Sequence, residues 1–211
     1  MAGVFITFEG PEGAGKSTQI RLLAQQLEAQ GFQVVVTREP GGTAIGERIR
    51  AILLDRGSAA MVPETETLLL SAARAQHVHE VILPALEHEQ VVLCDRFVES
   101  TLAYQGGGRG LSFEALRAVQ VFAVGSLRPD LRILLDIEVE RGLARRMGDA
   151  GSVNRMDEEG IAFHRRVRQA YRDLASEEPE GWRVIDADRP VAEIANEVRD
   201  TVRNILIDTD G

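Results

Sequence analysis

The sequence is short of several things, and each shortage excludes something. It holds a single cysteine, Cys94, in 211 residues, so no disulfide can form within the chain, which suits a reducing cytoplasm. Cys94 itself reads as a buried strand residue. No apolar stretch is long enough to cross a bilayer. The first apolar run has no basic segment before it and is cut short by Glu9, so a signal peptide is not expected. With a formal net charge of −9 there is no general surplus of positive charge, which argues against non-specific nucleic-acid binding. There is no internal repeat, no low-complexity tract and no N-K-x-D recognition loop. The length fits one domain, or one domain with a mobile insertion.

What is present begins with Gly10-Pro11-Glu12-Gly13-Ala14-Gly15-Lys16-Ser17. It fits G-x-x-x-x-G-K-[ST], the phosphate-loop pattern, without a mismatch. The flanks agree. Val4 to Phe8 reads as a buried strand, and from Ser17 and Thr18 onward Ile20, Leu22, Leu23 and Leu27 recur with helical spacing. A loop so placed aims free backbone N–H groups at the space above the helix N-terminus, where the dipole favours an anion. The glycines permit the close approach. Lys16 is expected on the β- and γ-phosphates of ATP and Ser17 on Mg²⁺.

Along the chain, Phe32 to Thr37 reads as a second buried strand after the stop at Gly31. Arg38 to Thr43 is a loop at its carboxyl end, with Thr43 capping a helix over Ala44 to Leu54. Pro63 to Glu87 is a long helix bent near Pro84. Val91 to Cys94 is a strand ending in Asp95-Arg96, which looks like a Walker B element whose carboxylate faces Mg²⁺; a helix cap is the plainer alternative for Asp95. Gln105 to Gly110 is a flexible turn, either an anion nest or a connector. Then follow a helix from Phe113 to Gly125, a strand over Leu131 to Asp136 and a helix over Val139 to Met147. Gly148 to Asn154 is small, polar and expected to be mobile. A helix over Glu158 to Leu174, a strand over Arg183 to Asp186 and a helix over Val191 to Ile207 close the chain. This alternation predicts an α/β phosphate-loop NTPase: three α/β/α layers on a five-stranded parallel sheet, with a lid.

The loop implies a nucleoside triphosphate but not the acceptor. Arginines gather at the strand ends (Arg38, Arg96) and around the mobile segment (Arg145, Arg146, Arg155). Phosphoryl transfer spreads charge over the transferred group, and cations there do much of the catalysis. A lid excludes the water that would otherwise hydrolyse ATP. The alternative for the arginines after Val139 is a solvated helix face paired with Glu138 and Asp149. Other expectations are plain: His77 and His79 partly exposed helix residues, Trp182 a packing residue.

Four stretches together resemble the bacterial thymidylate kinases: FEGPEGAGKSTQ (8–19), TREPGGT (37–43), LLLSAARAQHV (68–78) and DRFVESTLAYQGGGRG (95–110). The last is the most specific. The resemblance implies ATP- and Mg²⁺-dependent phosphorylation of dTMP to dTDP by a cytoplasmic homodimer that binds neither nucleic acid nor membrane. The lid then spans about residues 141–156. It places Glu12 at the deoxyribose 3′-hydroxyl and Arg96 on the acceptor phosphate with Arg38 and Pro40 close by. Arg74 falls at thymine O4, Ser100, Thr101 and Gln105 along the base edge, and Tyr104 where a 2′-hydroxyl would lie. The Glu39–Pro40 bond is expected to be cis. The catalytic cations are then Lys16, Arg96, Arg145, Arg146 and Arg155, and the metal ligands Ser17 and Asp95. Two departures stand out. Leu70 replaces the phenylalanine that stacks on the base, and Asn154-Arg155-Met156-Asp157 replaces D-R-x-E, so Arg155 loses its local acidic supports. The alternatives are a related kinase acting on a nucleoside or another nucleoside monophosphate, and an ATP-binding regulatory protein.

Overall fold

The computed structural model describes residues 3–148, 155 and 159–208. Five strands form one parallel sheet: β1 (Val4–Glu9), β2 (Val34–Arg38), β3 (Val91–Asp95), β4 (Leu131–Asp136) and β5 (Trp182–Asp186), in the order β2-β3-β1-β4-β5. Helices connect them: α1 (Lys16–Ala29), α2 (Ala44–Leu54), α3 (Pro63–His77), α4 (Leu83–Glu87), α5 (Val98–Thr101), α6 (Phe113–Val124), α7 (Val139–Met147), α8 (Ile161–Glu177) and α9 (Val191–Asp208).

Alternation along β1 shows how both faces are covered. Val4, Ile6 and Phe8 pack with Leu23 and Leu27 of α1 and Val198 and Val202 of α9. Phe5, between them, points the other way, to Val78, Ile82 and Phe97. Side chains two apart share a face, so a run buried throughout means helices on both sides, as all-parallel sheets require. On that second face Leu134 of β4 packs with Tyr171 and Leu174 of α8 and with Trp182.

Three expectations are corrected. Strand β2 is half-buried, with Val36 53% exposed, because it pairs only with β3 at the edge of the sheet. The helix from Pro63 is interrupted by a wide π-type turn over Val78–Ile82 immediately before α4. Pro84 has no N–H for the carbonyl four residues back, and a widened turn absorbs the loss. The glycines after Gln105 form no flexible turn. They lie in a π-type helical stretch, Leu102–Gly108, most of it buried. A Cβ on Gly107 would fall 2.5 Å from that of Ala170, so absent side chains here allow α8 to press against backbone.

Because β1 sits between β3 and β4, the chain leaves it in one direction and later returns to its other side. The carboxyl ends of β1 and β3 therefore border the crevice where open α/β sheets bind ligands.

Candidate active site

A cleft of about 550 Å³ opens at those strand ends, lined by the loop after β1, the loop after β2, α3, Asp95 to Gln105 and α7. At its floor, Lys16 donates from Nζ to the carbonyls of Gly10 (3.1 Å) and Pro11 (3.0 Å). It is the only lysine in the chain. Burial and the charge of Arg96 lower its pKa. Gly13, at φ 69°, lies against Gly142 of α7, where a Cβ would collide with backbone. The loop and α7 are thus seated on each other.

Ser17 donates from Oγ to Asp95 Oδ2 at 2.8 Å. Two hard oxygen ligands from α1 and β3 thereby meet beside the loop. Among the described residues no cluster of three or more His, Cys, Asp or Glu could hold an ion alone. One or two protein oxygens, completed by water and phosphate, is the pattern that suits Mg²⁺. The residues fit that ion.

Arg96 is the centre of the site. Its backbone takes φ 74°, left-handed for a non-glycine residue, and its N–H is tied to Phe8 O at 3.0 Å. That twist sends the side chain back under the phosphate loop. Its guanidinium donates to Glu12 (2.8 Å), Tyr104 (2.9 Å), Tyr171 (3.0 Å) and Gly10 O (3.1 Å) and lies over the Tyr104 ring. Burial would raise the pKa of Glu12, but Arg96 and Lys16 outweigh it and hold its carboxyl at about 2. Glu9, last residue of β1, is wholly buried behind Arg96. It accepts from Phe97 N (2.7 Å), Ser100 Oγ (2.6 Å) and Tyr171 OH (3.1 Å). Burial, then the nearby Glu99 carboxylate, push it up to about 7.

The other end of the cleft is a buried polar web. Arg74, 2% exposed, donates from Nε to Glu39 (2.6 Å), from Nη1 to Thr101 (2.9 Å) and to Gln120, and from Nη2 to Phe97 O (2.8 Å). Four of its five N–H groups are engaged among the described residues. His77 is fully buried, not partly exposed. It bridges Glu39 Oε1 (2.9 Å) and Thr37 Oγ1 (2.6 Å), because the loop after β2 folds over α3. His79 is exposed. The Glu39–Pro40 bond is cis. Leu70, Thr101, Tyr104 and Gln105 all line this end.

Other predicted residues fall as follows. Arg38 lines the cleft, is half-exposed and pairs with Glu47 (3.0 Å). Ser100 lines the cleft and is bonded to Arg96, Glu9 and Tyr171. Arg145 and Arg146 line the cleft. Arg145 also reaches Ala187 O (2.9 Å) and Asp188 (3.1 Å), whereas Arg141 turns outward to Asp188. Glu138 pairs instead with Arg168 (2.6 Å), and Asp149 lies outside the described residues. So do Asn154, Met156, Asp157 and most of the expected lid. Arg155 lines the cleft and donates to Leu53 O (3.1 Å) and to Glu66. Its acidic support comes from α3, far away in sequence. Five lining residues were missed: Glu39, Leu53, Leu54, Arg50 and Glu66. Arg50 of α2 is held on Pro40 O at 2.8 Å, and helical spacing from the Thr43 cap could have placed it. Glu66 carried no signal, since its partners converge on it only in the fold.

Comparison with known proteins agrees with this geometry. The thymidylate kinase family model matches residues 8–198. The thymidylate kinase of Thermomicrobium roseum is 55% identical over 202 residues, covering 96% of this chain and 95% of that one. That of Ectopseudomonas mendocina is 50% identical over 206 residues, covering 98% of each. A crystal structure of thymidylate kinase from Ehrlichia chaffeensis superposes with a TM-score of 0.79 at 30% identity, covering 96% of this chain and 99% of that one. The chain belongs to the thymidylate kinase family.

Proposed function

We propose that this chain transfers the γ-phosphoryl group of ATP to the phosphate of dTMP, giving dTDP and ADP. A phosphate oxygen of dTMP forms the new bond to the γ-phosphorus as the bond to the β,γ-bridging oxygen breaks. The acceptor is already an anion, so no general base is required. One observation carries the reading. Lys16, Arg96, Arg38 and Arg50 ring one end of a single cleft, and a buried web built on Arg74 forms the other.

Lys16 holds the β- and γ-phosphates, and Arg96 the acceptor phosphate. Glu12 keeps Arg96 aimed and is available to the sugar 3′-hydroxyl. Arg74 keeps one Nη2 hydrogen for O4 of the base. Cations on α7 and Arg155 take up charge that builds on the transferred group. Ser17 and Asp95 would hold Mg²⁺, which would supply positive charge against the phosphates.

The assay is coupled ADP release over dTMP, thymidine, dUMP, dCMP and AMP. Preference for dTMP is expected; turnover of thymidine without dTMP would overturn the reading. The chain is further read as one kinase domain, with a lid over about residues 141–156, and as a cytoplasmic homodimer. Among the described residues no helix is long and apolar enough to cross a membrane. Support for the dimer comes from neighbouring α3 and α6, which expose Leu68 (59%), Val121 (53%) and Phe122 (94%). Phe122→Glu is expected to halve the mass seen by light scattering; a wild type that runs as a monomer would remove the dimer from the reading.

A further inference from the structure

One buried polar atom has no part in the transfer itself. Gln105 is 2% exposed and lines the base end of the cleft. Its Nε2 donates to Glu66 Oε1 at 2.7 Å. Its Oε1 is buried with no hydrogen-bond partner among the described residues. An ionised carboxylate accepts and never donates, so this amide can face Glu66 only through its NH₂. The carbonyl is turned the other way. Glu66, also 2% exposed, is fixed in turn by Arg155 and by Arg109 (3.3 Å). Burial alone would raise its pKa, but the hydrogen bonds from Arg155, Gln105 and Arg109 outweigh it and keep it below the ordinary carboxylate range.

We propose that Glu66 is a positioning residue for base selection: it locks the Gln105 amide with its carbonyl free, so the site takes a pyrimidine imide and rejects cytosine. Thymine and uracil carry hydrogen on N3 and can satisfy a buried acceptor. Cytosine presents a lone pair there, leaving two acceptors face to face in a site water does not reach. The device separates imides from cytosine and is blind to the difference between thymine and uracil. The inference rests on the dTMP reading above.

The test compares kcat/KM for dTMP, dUMP and dCMP in wild type, Glu66→Gln, Gln105→Ala and the double variant. Glutamine at 66 can donate or accept, so the Gln105 amide is free to turn over. The dTMP:dCMP ratio is expected to fall at least about tenfold in Glu66→Gln, while dTMP:dUMP holds within about twofold. Both ratios come from one preparation, so a partly unfolded fraction cancels. In the Gln105→Ala background, Glu66→Gln should move neither ratio further. An unchanged dTMP:dCMP ratio, or a fall of the same size without Gln105, overturns the proposal. A wild type that prefers dUMP to dTMP but excludes dCMP would correct the functional reading and still support imide selection.

Discussion

The two ends of the cleft are built on opposite principles. At the base end, Arg74, Glu39, His77, Glu66 and Gln105 are all at most 4% exposed and bonded in two groups, Arg74 and His77 on Glu39 and Gln105 on Glu66. Removing one member strands another in a place water cannot reach, and an orphaned buried partner costs far more than the bond was worth. At the α7 end, the side chains of Arg141 and Arg145 are 63% and 45% exposed and share Asp188. Exposed pairs of this kind contribute little to stability. In the proposed reaction, recognition falls to the buried groups and charge for the transfer to exposed side chains.

Arg96 lies at the centre of the site and belongs to neither group, so its loss is expected to have the largest effect. Arg96→Ala removes the cation proposed for the acceptor phosphate and leaves Glu12 without its main counter-charge. A fall in kcat/KM on the order of 10³-fold is expected in the coupled assay, near the upper range for deleting one preorganised charge. The Glu12 carboxyl, held at about 2, should also rise, visible by NMR titration. A loss of only a few-fold would mean that Arg50 or Arg38 holds the phosphate.

His77 sharpens the contrast from the base side. It does not itself line the cleft and reaches it through Glu39, which does. His77→Ala should raise KM for dTMP by roughly tenfold with kcat little changed, the pattern of lost ground-state positioning. His77→Gln, which can still bridge Thr37 and Glu39, should recover part of it. An equal fall in kcat would place the relay in the chemical step instead.

How much of this was legible follows the same division. The phosphate loop, the meeting of Ser17 with Asp95, the parallel sheet and the full extents of α2, β4 and α7 were readable, because each rests on local spacing or a contiguous motif. The web was not. Glu66 gathers partners 39, 43 and 89 residues away, and Glu9 bonds across 91 and 162. His77 looked like an ordinary helix residue, since nothing local says that the loop after β2 covers it. The three glycines after Gln105 misled for a related reason: composition suggests freedom, while the packing partner on α8 makes them a contact surface.

Glu9 gives a pH signature to the buried half. Its carboxyl is pushed up to about 7 from the ordinary 4.5 by burial and by Glu99, against Ser100, Arg96 and Phe97 N–H. The raised value means the folded protein binds this proton more tightly than the unfolded chain. That contribution to stability is fully present below about pH 4.5 and is lost as pH rises to about 7. Glu12, shifted downward, acts in the opposite sense at lower pH: its contribution is present above about 4.5 and lost towards 2. Denaturant titrations from pH 4.5 to 7.5 should therefore show a less steep fall of stability with pH in Glu9→Gln than in wild type. Parallel slopes would mean Glu9 stays ionised throughout.

The smallest effect separates the two arginines that share Asp188. Arg145 lines the cleft and also holds Ala187 O. Arg141 pairs with Asp188 alone among its described contacts and faces outward. If α7 supplies charge through individual side chains, Arg141→Gln should change kcat/KM by no more than about fivefold, since an exposed pair is worth at most about 1 kcal/mol. Arg145→Gln should cost more, chiefly in kcat, because charge developing on the transferred group is where a cation counts. Equal losses would show that Asp188 and both arginines work as one unit, and that exposure at this end does not confer the independence argued from it.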